Sequence, residues 1–372
     1  MIAVLGVLIA VLTMSCSAKT DADTLYAQQL EASGAQDLFD TLPDQTQALL
    51  YDLGVTDLAE HSTADLDLET VLQGIWGLFV DTAQTPAAAG AVMLGAILLC
   101  AVIGGMKETV GGQSAVFGTV GVLACASAVV SPLVSCLGRV TEAAESADVF
   151  VTAFVPVYAG VLATSGQWAS AATFQTVLLI ASKGMSYVLT AWIVPLLVTA
   201  FALGLVGSVT DGRLQLHRIG EFLQKNTAWV LGALMTLFIG FLSLQNLTAA
   251  ATDTLTNRMI KFSVASFIPV VGGSLSEAVG TVKGCLGLLK GTVGAFGVLA
   301  DALIVLPPLL ECVWWQLWLG AAQMAADLFG ISSVSGILKV GGNLMKTLIA
   351  VLACMALLMI LSITVVGKVG GG

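Results

Sequence analysis

The chain has 372 residues, of which 57% are hydrophobic and only 10% charged, with a formal net charge of −10 and a mean hydropathy of +0.95. Soluble domains carry about 25% charged residues, so these values exclude a water-soluble globular domain and describe a polytopic membrane protein. Residues 19–85 hold 13 of the 24 acids and one base, Lys19, so the negative charge belongs to that segment, and the chain lacks the clustered Lys/Arg that nucleic acid requires.

The chain opens with an apolar run, residues 1–18, ending in Ser15-Cys16-Ser17-Ala18. The small residues fit signal-peptide cleavage after Ala18. The missing basic start leaves the true start codon open, and a lipid-modified Cys16 or an uncleaved helix are alternatives. Residues 19–85 form an acidic segment in which Leu38, Phe39, Leu42, Leu49, Leu50 and Leu53 recur at helical spacing around Pro43. Two or three short amphipathic helices are expected, outside the cytoplasm because translocated segments avoid positive charge.

A helix needs about 20 apolar residues to cross the hydrocarbon core. Residues 86–106 and 114–137 meet this, and 139–148 reads as an acidic connector with Arg139, Glu142, Glu145 and Asp148. Residues 149–182 carry no charge but contain Pro156 and Gly166, which suits a short hairpin or re-entrant pair. Spans follow at 184–209 and 227–251, then a second hairpin at 262–290, then spans at 291–312, 313–330 and 344–366. Lys107, the loop 211–225 and Lys339/Lys346 fall on the cytoplasmic side by the positive-inside rule, and 139–148 and 253–261 on the other.

Phe154-Val155-Pro156-Val157 returns as Phe267-Ile268-Pro269-Val270, and Ile193-Val194-Pro195-Leu196-Leu197 meets Leu306-Pro307-Pro308-Leu309-Leu310 at the same offset of 113. The expected fold is therefore all-α, with an internal duplication of helical hairpins broken by Pro and Gly. The breaks are placed at Pro156 and Gly160, at Pro269, Gly272 and Gly273, and at Pro195, Pro307 and Pro308. Proline removes a backbone donor and glycine lets the chain reverse. The resulting divisions are 1–18, 19–85, 86–112, repeat 1 at 113–225, repeat 2 at 226–340, and a final helix and tail at 341–372. Whether the repeats are parallel or inverted depends on whether each hairpin crosses fully.

Asp301 lies inside an apolar span, with Glu311 ten residues on. An intramembrane carboxylate is costly unless it faces a partner or water. It reads either as a polar path or ion-coupled site, or as a helix–helix contact with Asp301 protonated or paired to Lys283 or Lys290. The seven cysteines form no CxxC and read as small buried hydrophobes. Trp314, Trp315 and Trp318 read as an interfacial cluster. No nucleotide-binding loop, nucleophile elbow or zinc-type motif is present in the sequence, and neither an enzyme nor a cofactor is expected.

The stretches Asn257–Phe262, Phe267–Gly272 and Leu288-Leu289-Lys290-Gly291-Thr292-Val293-Gly294 resemble the stage III sporulation protein AE family of endospore-forming bacteria. The resemblance extends to the plan of signal peptide, acidic extracytoplasmic domain and many spans. It implies a subunit of the channel or secretion-like complex joining mother cell and forespore after engulfment. The implied location is the mother-cell membrane around the forespore. The implied partners are other membrane and ring-forming proteins of the same operon, a secretion-type ATPase and a forespore membrane protein. The alternative is a stand-alone secondary transporter with Asp301 as its ion-coupled carboxylate.

Overall fold

The computed structural model describes residues 30–31, 33–55, 68–105, 114–209, 222, 225–227, 229–244, 252 and 272–369, and among these it is helical apart from short turns. A 3-10 turn at Gln36–Thr41 leads into α1, Asp44–Asp52. The long helices are α2 (Leu68–Gly105), α3 (Ser114–Thr164), α4 (Trp168–Val188), α5 (Val194–Val209), α6 (Lys225–Leu244), α7 (Gly272–Leu328) and α8 (Ser332–Val369). Six described helical stretches are long and apolar enough to cross a membrane, and the protein is read as a multi-pass membrane protein. The signal-like run 1–18, the loop 211–221, residues 253–261 and the Phe267–Pro269 motif lie outside the described residues.

The helices are longer than the sequence suggests. Pro132 and Pro156 lie inside α3, which has 51 residues, and Pro307 and Pro308 lie inside α7, which has 57. At 1.5 Å per residue these extend for about 77 and 85 Å, against a hydrocarbon core of about 30 Å. The expected breaks at Pro156/Gly160 and Pro307/Pro308 are therefore not breaks, and the spans 291–312 and 313–330 are one helix. Residues 139–148 are helical too, not a connector loop. Of the second hairpin's break, Gly272 and Gly273 begin α7 and Pro269 is outside the described residues.

Pro195 is accommodated in a different way. The five residues before Val194, Leu189–Ile193, form a π turn. That wider turn makes room for the proline ring, which in a regular helix clashes with the carbonyl four residues back. The chain continues into α5 without reversing.

The reversals fall at glycines instead. Gly166 (φ 81°) ends α3 and Gly330 (φ 68°) ends α7, a left-handed conformation that glycine adopts without a Cβ penalty. Both turns close with one pattern of hydrogen bonds. Gln167 N–H donates to Leu162 O and Gly166 N–H to Ala163 O, while Ile331 N–H donates to Ala326 O and Gly330 N–H to Asp327 O. This is the Schellman arrangement. The hairpin expected within 149–182 does occur, with its tip at Gly166, one of the two expected breaks, and not at Pro156.

The two hairpins pack against each other head to tail. Cys136 meets Cys312, Phe150 meets Phe296, Tyr158 lies by Gly294, and Gln167 meets Lys290. Numbers rise on α3 as they fall on α7, so these helices are antiparallel. Cys136 also meets Met345, and a Cβ on Gly294 would touch both Tyr158 and Ile363, so α8 runs parallel to α3. One turn sits beside Lys290, and the other lies about 60 Å further along α7, at the opposite end of the bundle. The offset of 113 sets Pro195, in the second arm of the first hairpin, against Pro308, in the first arm of the second.

Leu38, Phe39, Leu50 and Leu53 belong to one contiguous core with Phe150 and Phe296. Phe39 stacks on Phe296 with ring centroids 6.4 Å apart. The acidic segment thus docks on the membrane-type helices through its apolar side. The amphipathic stretch from Leu68 is already the start of α2, well before residue 86.

Glycine at close contacts has a testable consequence. A Cβ on Gly297 would overlap the buried Phe154 ring, whereas one on Gly160 meets nothing within 4 Å among the described residues. Gly297→Ala is expected to cost about 1–3 kcal/mol through overpacking, and Gly160→Ala to gain about 0.5–1 kcal/mol of helix propensity. Thermal unfolding of the detergent-purified variants measures both. A lowered melting temperature for Gly160→Ala would show that this position needs glycine.

Candidate intramembrane polar site

Helix α7 carries three buried polar residues, Lys290 (8% exposed), Asp301 (1%) and Glu311 (8%). They sit along one long helix whose surroundings are apolar, so each must find a partner or bear a desolvation cost. The three are handled differently.

Glu311 is paired. Arg139 on α3 donates through Nε to Glu311 Oε2 at 2.5 Å and through Nη2 to Oε1. The two parallel bonds match the guanidinium fork to the carboxylate. Trp315 Nε1 also donates to Glu311 Oε1, at 3.3 Å. The carboxylate side chain is 10% exposed and the guanidinium side chain 45%, so the arginine reaches in from the bundle's flank.

Lys290 is bonded to a neutral group. Its Nζ donates to Gln167 Oε1 at 3.2 Å, and Gln167 is buried as well. This contact ties α7 to the tip of the first hairpin. Lys290 is therefore not Asp301's hydrogen-bond partner, and the side chain of Lys283 lies outside the described residues.

Asp301 is the exception. Its Oδ2 is buried without a hydrogen-bond partner among the described residues. Ten residues of helix put it about 15 Å from Glu311 along α7, so the two carboxylates do not form one site. Each sits in its own environment.

A second polar group marks the flank. Asp148 on α3 accepts from Ser182 Oγ at 2.9 Å and from Lys183 Nζ at 2.6 Å, linking α3 to α4. Glu142, Glu145 and Lys183 are exposed. Charged groups thus gather at mid-length of the first hairpin, on α3 and α4, between two apolar halves.

Several of these residues were hidden in the sequence. Arg139 looked like one member of an acidic connector. The signal for its true role is physical: an intramembrane Glu needs a cation, and Arg139 is the only base between Lys107 and Lys183. Gln167 gave no signal. The tryptophans face inward rather than forming an interfacial belt. Trp315 is fully buried, Trp314 Nε1 donates to Phe79 O at 2.8 Å, and Trp318 packs over Gly90. The reason is that α2 and Glu311 supply acceptors and a close-packed surface. Cys125, Cys136 and Cys312 are buried, as small hydrophobes are, while Cys100 and Cys354 are half-buried.

Arg139→Met leaves the Glu311 carboxylate buried without its cation. The expected loss is about 1–3 kcal/mol, below the usual range for a broken buried pair because the guanidinium is half exposed. Glu311→Gln should cost less, since Arg139 can turn to water. The exchange Arg139→Glu with Glu311→Arg should recover part of the loss. Melting temperatures in detergent measure all three, and equal, negligible effects would mean that the pair does not hold α3 to α7.

The family model described as stage III sporulation protein AE matches residues 54–370. The curated "Stage III sporulation protein AE" of Bacillus subtilis (strain 168) is 30% identical over 230 residues, which cover 62% of this chain and 57% of that protein. The chain thus aligns with somewhat more than half the length of this curated relative. No solved structure matches. With a family match running from just past α1 through all of α8, the chain belongs to the stage III sporulation protein AE family.

Proposed function

We propose that the protein is an integral membrane subunit of a sporulation complex that joins mother cell and forespore as a channel or secretion-like assembly, needed after engulfment. The observation that carries this reading is the family match over residues 54–370. The bundle supports it: its helices exceed one bilayer in length, and they carry exposed carboxylates at mid-length rather than only at their ends.

The orientation follows from the charge pattern. Exposed Glu142 and Glu145 cannot sit in hydrocarbon, so that level is placed in water. The halves at 114–138 and 184–209 then cross the membrane toward Lys107 and the basic loop 211–225, which is cytoplasmic. The hairpin tip at Gly166 and the acidic N-terminal segment project on the other side, away from the cytoplasm. Each of the six long stretches crosses once, and the Gly330 turn faces the cytoplasm, whereas Lys346, next to Met345 and so level with Cys136, lies at the far end of that crossing. The partners are the other membrane and ring-forming proteins of the operon, a secretion-type ATPase and a forespore membrane protein. The role is structural, with no catalysis.

The Asp301 oxygen, without a partner among the described residues, favours a second reading, a secondary transporter coupled to proton or cation movement. Deleting the gene and imaging sporulating cells tests the first reading: arrest is expected after engulfment, and normal spores would overturn it. Asp301→Asn separates the two readings. Spore yield should be unchanged for a scaffold subunit and lost for a carrier that needs the carboxylate. Labelling of single cysteines placed at 166 and 330 should show opposite sides of the membrane, and labelling from one side would refute the orientation.

A further inference from the structure

Beside the Arg139–Glu311 pair lies a second contact between the same two helices. Cys136 Sγ on α3 and Cys312 Sγ on α7 are 3.3 Å apart, and both residues are fully buried. They are 176 positions apart in sequence, so only the docking of the two hairpins brings them together. We propose that Cys136 and Cys312 form a disulfide that covalently joins the two helical hairpins.

The geometry favours a covalent bond over the other uses of two thiols. A disulfide needs sulfurs about 2.05 Å apart, so about 1.3 Å of movement shared by two side chains closes the gap. Two thiolates on one tetrahedral zinc ion, with Zn–S about 2.3 Å, stand roughly 3.8 Å apart, wider than this pair. The third sulfur, Met345 Sδ, is 3.9 Å from Cys136 Sγ. It packs against the pair from α8 and supplies no thiolate. The neighbouring ion pair sets the same register: Cys312 follows Glu311 directly, and Cys136 lies almost one turn before Arg139. The two helices are thus already aligned when the sulfurs meet.

The chemistry is thiol–disulfide exchange with a protein disulfide of an extracytoplasmic thiol oxidoreductase. The thiolate of one cysteine attacks a sulfur of that disulfide and releases a thiolate of the oxidoreductase, leaving a mixed disulfide. The thiolate of the second cysteine then attacks the first cysteine's sulfur and releases the other oxidoreductase thiolate. One S–S bond forms here and one breaks there. The two protons lost by Cys136 and Cys312 end on the oxidoreductase, which leaves reduced by two electrons. Neither sulfur is accessible after docking, so exchange occurs while the hairpins come together. The side on which the oxidant works rests on the orientation proposed above, since disulfides persist outside the cytoplasm. The bond itself does not.

The test uses full-length protein in native membranes, quenched with acid, denatured and labelled with a polymer-bearing maleimide before and after reduction. The wild type is expected to gain two labels on reduction. Cys136→Ala/Cys312→Ala should gain none, and Cys100→Ala/Cys125→Ala, which removes another close thiol pair, should still gain two. Mass spectrometry of the unreduced wild type should find the peptides containing 136 and 312 joined, a result that does not depend on whether any variant folds. The proposal is overturned if every cysteine labels without reduction, if a chelator alone exposes the two thiols, or if the gain persists without Cys136 and Cys312. Opposite-side labelling at 166 and 330 is read separately, so a failure of the orientation and a failure of the crosslink are distinguishable.

Discussion

A backbone buried in hydrocarbon or inside a packed bundle has no water to bond, so each N–H and C=O must be satisfied inside the protein. This constraint explains the feature on which the architecture rests, the passage of long helices through their prolines. Ending a helix at Pro156 or at Pro307-Pro308 would leave a whole turn of donors and acceptors without partners. Continuing it forfeits only the bonds that each proline removes. At Pro195 the same pressure produces a π turn rather than a loop. The chain reverses at Gly166 and Gly330, where the Schellman hydrogen bonds recover the last carbonyls. Proline here shapes helices that glycine ends.

The polar groups follow from the same constraint. Once α7 is continuous, Lys290, Asp301 and Glu311 are carried into the core at fixed heights. The neighbours at each height then decide their state. Arg139 and Trp315 meet Glu311, Gln167 meets Lys290, and Asp301 has an oxygen that nothing described satisfies. An unpaired buried oxygen is costly in a low-dielectric interior, which is why Asp301 stands apart from the two residues that only fasten helices together.

Much of this was legible in the chain. Composition gave the membrane class, and the uncharged stretch 149–182 did contain a hairpin. The buried carboxylates were visible as charges among apolar residues. The sequence misled where local chemistry competes with tertiary context. Pro156 with Gly160 has the composition of a turn, but Phe154 and Tyr158 beside it are core residues packed against α7, and that burial keeps the segment helical. The run Arg139–Asp148 has the composition of a connector, because its charges fall on different faces of α3 and composition does not separate them. Arg139 reaches Glu311, Asp148 reaches Lys183, and Glu142 and Glu145 point outward, an arrangement that only a helix provides. The tryptophans were misplaced for a related reason. Trp314 finds its acceptor at Phe79 and Trp318 its packing surface at Gly90, both on α2 and far away in sequence, and no local pattern announces them.

The opposed turns have a mechanical meaning. Two hairpins whose closed ends point in opposite directions behave like interlocked staples. A force drawing them apart along the bundle axis loads the contacts from Cys136–Cys312 to Gln167–Lys290 together, in shear, rather than peeling them one by one. The grip between the hairpins is therefore greatest along the bundle axis and weakest to a sideways separation across it.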